Sequence, residues 1–260
     1  MALDKPVTGE DLHGYATDLA DECQRRSHEK FASEPGDIVR GALFNILHDA
    51  VIVHRAIGVL VSSGWSSPGA ILARTMLDLT VSLVAVLGSK NPPLAAFRYF
   101  NASFRQIMRD GGYTPKLRRE VREMTREQIS RLPLADRPAA LEFLKEKDRP
   151  YWFADEWKSP SEVSATFASP VIQQSYRSFS AAAHGGFLGS RIFRDRSFEN
   201  TINPRLPVGK QATLVSVSSS RYLIELVLMR SQYENLGLEP LCKELLGSIE
   251  TIEILKTDIS

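Results

Sequence analysis

Two long apolar runs with helical periodicity limit the fold of this chain more than any other feature. Between Ile38 and Ser62, the residues Leu43, Ile46, Leu47, Ala50, Ile57 and Val61 recur at helical spacing. That spacing lines one side of a helix turning about 100° per residue. From Ala70 to Gly88 the chain is apolar on most faces, which predicts a central helix. Its β-branched Thr80, Val81, Val84 and Val86 would suit a strand, but the run is too long for one. Arg74 and Asp78 interrupt it, so it reads as a buried helix rather than a membrane span.

Breakers divide the rest of the chain into further helices. EPGD (34–37) offers Asp37 as an N-cap, and GWSSPG offers Ser66 or Ser67 as a cap with Pro68 starting the next helix. Asp11 to Lys30 is a polar helix, and Pro93 to Arg109 carries Phe97, Phe100, Phe104 and Met108 on one stripe. Residues 116–149 predict two helices interrupted near LPLADRP, and their alternating charge signs read as a solvated face. A Trp-bearing loop with short helical turns follows, then helices over about 170–183, 210–235 and 240–256. The expectation is an all-α multi-helix bundle of eight to ten helices. It forms one domain over 1–260, with a core at about 36–235 and peripheral N- and C-terminal helices.

Composition narrows the chemistry. The net charge of +1 gives no whole-molecule field that would argue for nucleic acid or membrane. Cys23 and Cys242 are far apart in sequence and read as free thiols of a reducing cytoplasm. MALDKPVTGEDLHGY lacks a basic segment followed by an apolar run, so the expectation is a soluble cytoplasmic chain with no membrane partner. A di-iron bundle needs Glu-x-x-His pairs, which do not occur, and His48 and His54 lie about 240° apart on their helix. No metal or cofactor is expected.

The segment YRSFSAAAHGG (176–186) concentrates the remaining chemistry. With Tyr176 at zero, Ser180 falls at about 40°, His184 at about 80° and Arg177 at about 100°. Arg177 and His184 sit two turns apart, a geometry that suits a guanidinium holding a phosphate while an imidazole moves a proton. The C-terminal end of the helix favours the imidazolium, and Ser180 stands one turn before it. Neighbours on one helix build no oxyanion hole, and no Gly-x-Ser-x-Gly elbow occurs, which disfavours a Ser-His hydrolase. The alternative is a polar packing seam in which His184 bonds loop carbonyls. Arg74 and Asp78, one turn apart, read either as a structural ion pair or as an arginine held toward a cleft.

Arg177, six residues and His184 resemble the Arg-x(4–6)-His motif of the HEPN (higher eukaryotes and prokaryotes nucleotide-binding) superfamily. More closely, the chain is similar to a bacterial all-helical family of unknown function. That family carries an Arg-x-x-x-acid helix, a Trp-containing loop and a Tyr-x-x-x-Ser-x-x-x-His-Gly helix. Arg74-Asp78, Trp157 and Tyr176-Ser180-His184-Gly185 match in that order, over about residues 40–190. Ser178 follows Arg177, where active HEPN ribonucleases frequently carry Asn, Asp or His. The resemblance implies a homodimeric, metal-independent RNA endonuclease, a toxin or phage-defence effector with a protein antitoxin or defence partner. Arg177 would bind the scissile phosphate, and His184 would act as acid or base in attack by the 2′-hydroxyl. Tyr176, Ser180, Arg74 and Asp78 would support them, while Arg191, Arg194 and Arg196 would contact RNA backbone. The alternative is a non-catalytic dimeric scaffold.

Overall fold

Helix boundaries follow local capping chemistry. In the computed structural model, which describes residues 9–34, 36–109, 114–146, 151–166 and 210–251, the Asp37 carboxylate accepts from Val39 N at 3.0 Å and opens the second helix. Thr114 accepts from Leu117 N and precedes Pro115 at the first turn of the fifth. Ser159 accepts from Glu162 N at 3.2 Å, and Glu162 Oε2 accepts from Lys158 N at 2.7 Å. This reciprocal arrangement resembles a capping box.

The described residues form nine α-helices and no strand: α1 (Gly9–Phe31), α2 (Ile38–Ser62), α3 (Ser66–Leu87), α4 (Pro92–Arg109), α5 (Pro115–Arg131), α6 (Arg137–Lys145), α7 (Pro160–Ala165), α8 (Lys210–Glu234) and α9 (Glu239–Thr251). A 3-10 turn over Leu134–Asp136 marks the interruption expected near LPLADRP. The all-α expectation holds. By length and composition, α2 and the Pro68–Leu87 part of α3 would suffice to cross a membrane, and each buries part of its surface inside the protein. The core helices of soluble proteins pass the same test.

The chain groups into two compact units, with Ile46–Thr80 in the first and Val81–Phe167 in the second. The first holds α1, most of α2 and α3, α8 and α9. Leu12, Ala16, Leu19, Ala20 and Cys23 make the buried stripe of α1. The helix buried on nearly all sides here is α8, whose exposed residues from Thr213 onward are Gln232 and Tyr233. Ser216, Ser219 and Ser220 keep its surface narrow; Ser220 donates back to Ser216 O, and the Ser219 hydroxyl also lies 2.9 Å from that oxygen. The α8–α9 turn uses Asn235 (φ 53°) and Gly237 (φ 73°) in the left-handed region. Lys30 Nζ donates to Glu234 O at 2.6 Å and Arg26 Nη1 to Leu236 O at 3.0 Å, so the basic end of α1 closes the carbonyl end of α8.

The second unit packs α4 against α5 and α6. Its buried seam on α4 is Leu94, Phe97, Asn101 and Arg105, rotated from the phenylalanine stripe expected from sequence. Polar residues can occupy that seam because each finds a partner. Asn101 donates to Gln128 Oε1 at 2.6 Å and accepts from Thr125 Oγ1 at 2.9 Å. Arg105 donates to Glu146 O and lies 4.5 Å over the Phe143 ring. Val81, Ala85, Phe153 and Val163 form a second cluster, covered by Trp152 and Trp157. A Cβ on Gly88 would meet Val84 O at 2.9 Å and Trp157 at 3.7 Å, which accounts for glycine where α3 ends.

Candidate functional site

Tyr176, Arg177, Ser180, His184, Arg191, Arg194 and Arg196 lie outside the described residues. Arg74 and Asp78 are described and pair on α3, Nη2 to Oδ1 at 2.8 Å, with the side chains 13% and 53% exposed. The guanidinium is drawn toward the core while its carboxylate faces water. Trp157, the aromatic of the expected approach loop, packs 6.4 Å from the Phe153 ring.

Within the first unit, the described polar chemistry centres on His54, which is fully buried on α2. Its Nδ1 lies 3.1 Å from Ser219 Oγ on α8, and its Nε2 lies 3.2 Å from the carbonyl oxygen of His13 on α1. A carbonyl only accepts, so Nε2 carries the proton and Nδ1 of the neutral ring accepts a hydrogen bond from the Ser219 hydroxyl. Ser216 O remains satisfied by Ser220 when Ser219 turns to the ring. Burial, the His13 ring and the Arg55 charge together push the His54 pKa down to about 3, against the hydrogen bond to His13 O, which raises it. His54 is therefore neutral at physiological pH.

The His13 ring stacks on His54, with centroids 3.7 Å apart and planes at 22°. Burial lowers its pKa as well, and its Nδ1 is buried without a hydrogen-bond partner. The stack fits because α2 carries Gly58 one turn after His54. A Cβ there would come within 2.4 Å of His13 Nε2. Since Ser219 and His54 are both closed to solvent, this cluster offers no nucleophile to a substrate. It fastens α1, α2 and α8 together.

A second buried polar group joins α8 to α1. Arg230 donates to Glu234 Oε2 at 3.1 Å and to Ser27 Oγ at 2.7 Å, with the Arg230 and Glu234 side chains only 2% and 1% exposed. Cys23 and Cys242 are buried, and burial pushes both thiols up to about 12. Among the described residues no three His, Cys, Asp or Glu side chains converge to hold a metal ion.

The clasp at His54 was only faintly legible in sequence. His54 invited comparison with His48 on the same helix, whereas its partners come from α1 and α8. The trace it leaves is small: a glycine one turn after a histidine inside an apolar helix, and a serine-rich stretch in α8. No protein-family model matches the chain, and comparisons with curated proteins and with solved structures give no match either.

Proposed function

We propose that the chain is a HEPN-like, metal-independent RNA endonuclease in which Arg177 holds the scissile phosphate and His184 transfers the proton. The observation that carries this reading is the two-turn spacing of Arg177 and His184 on one helix-forming segment, with Tyr176 and Ser180 in the same quadrant. The all-helical build of the described residues suits it, as does the ion pair of Arg74 and Asp78. Attack by the 2′-hydroxyl on the adjacent phosphate forms the new P–O bond and expels the 5′-oxygen, leaving a 2′,3′-cyclic phosphate. His184 takes or supplies the proton.

The test is incubation of mixed RNA with the purified protein in excess EDTA, beside Arg177→Ala and His184→Ala proteins of verified helicity. Cleavage to cyclic-phosphate ends is expected, reduced about 100-fold or more in each variant, as for loss of a general acid–base. An inactive wild type, or variants that cleave equally well, overturns the reading. A second reading, a non-catalytic dimeric scaffold, is favoured by the large apolar side chains Ile52 and Val59, which stand 53% and 65% exposed on α2. A concentration-dependent dimer without cleavage would support it.

A further inference from the structure

The charge alternation of residues 116–131 does not survive winding into a helix. On α5, Arg118, Arg122, Arg126 and Arg119 fall within an arc of about 100°, while Glu123, Glu127 and Glu120 gather on the adjoining side. Two of the three glutamates are paired on their own side: Lys116 lies 3.9 Å from Glu120, and Arg131 lies 2.5 Å from Glu127. Arg119, Arg122 and Arg126 are exposed and form no ion pair among the described residues. Glu123 borders this stripe and bonds to none of them. The solvated mixed face expected from sequence is therefore two faces, one neutralised and one cationic.

We propose that Arg119, Arg122 and Arg126 form a docking stripe for the phosphate backbone of a single RNA strand. The three arginines rise along the axis over about 10 Å, in steps of about 4.5 and 6 Å. The three lie close enough together to track consecutive phosphates along one strand. Each guanidinium presents a planar fork that grips a phosphate through two parallel hydrogen bonds. A membrane surface fits the stripe less well. On the apolar side of α5, Val121 is turned inward and Met124 is the one large apolar side chain exposed, too little to form a face that enters lipid. Nothing in the stripe reads bases, so binding is independent of sequence and strongly dependent on salt. It is independent of cleavage at Arg177 and His184.

The experiment measures binding of a fluorescent 2′-O-methyl RNA 20-mer, which cannot undergo 2′-hydroxyl attack, between 50 and 200 mM salt. The proteins compared are wild type, R119Q/R122Q/R126Q, R119Q/R122Q, and K116Q/R131Q, which removes as much charge as the double variant but from the neutralised side. Circular dichroism and melting confirm the fold of each. The triple variant is expected to bind on the order of 10- to 100-fold more weakly at 50 mM salt, with the slope of log K against log salt smaller by about 2. R119Q/R122Q should lose more affinity than K116Q/R131Q. Wild type that does not bind, or R119Q/R122Q and K116Q/R131Q that lose equally, overturns the stripe. Binding to phosphatidylserine vesicles but not to RNA overturns it in favour of a lipid surface.

Discussion

The imidazoles of His13 and His54 lie face to face, 3.7 Å apart, although 41 residues separate them in the chain. One belongs to α1 and the other to α2, and Ser219 of α8 completes the contact. The polar interior of the first unit thus depends on keeping a neutral ring uncharged.

That dependence sets a pH response. The His54 pKa falls from 6.5 unfolded to about 3 folded, and His13 is lowered in the same sense. Between these limits the unfolded state binds more protons, so stability is complete above pH 6.5 and is lost as the pH falls toward 3. His54 contributes up to about 1.4 kcal/mol per pH unit within that window. Urea denaturation at pH 7.5, 6.0 and 5.0 should give a stability difference between wild type and His54→Gln that narrows as the pH falls. A difference constant with pH would contradict the neutral assignment.

Gly58→Ala places a methyl group 2.4 Å from His13 Nε2. Overpacking of this kind costs about 1–3 kcal/mol. Because the obstacle is the His13 ring, His13→Ala in the same chain should remove most of that cost. A double-mutant cycle read by chemical denaturation should therefore show strong coupling, and additive effects would place the strain elsewhere.

Arg230→Met strands the Glu234 carboxylate where it is 1% exposed. Removing one partner of a buried pair costs about 3–5 kcal/mol, whereas replacing both with apolar side chains is often nearly neutral. Denaturant midpoints should accordingly fall steeply for R230M and recover in R230M/E234L. A double variant as unstable as the single one would show that Ser27 and its surroundings require the arginine itself.

Cys23 and Cys242 should be silent toward thiol reagents in the folded protein, since both are buried and pushed up to about 12. Labelling with Ellman's reagent at pH 8 should proceed only at the rate of opening and should accelerate with urea below the unfolding midpoint. Immediate stoichiometric labelling without denaturant would contradict their burial.

What the sequence determined by itself was local. Apolar spacing at three and four residues, together with Asp37 at the start of α2, set the long helices to within a few residues of their ends. These signals are written within one or two turns, where backbone geometry alone decides which side chains meet. The tertiary structure decided the rest. Asn101 and Arg105 displaced Phe100 and Phe104 from the buried seam because α5 and α6 bring them hydrogen-bond partners. His54 became a three-helix clasp because α1 and α8 converge on it, and only packing supplies the low dielectric that keeps it neutral. The arginine stripe on α5 follows from helical rotation, yet it remains cationic because Glu120 and Glu127 pair with Lys116 and Arg131. The Arg177–His184 spacing stands on the sequence alone, with those residues outside the described part of the structure.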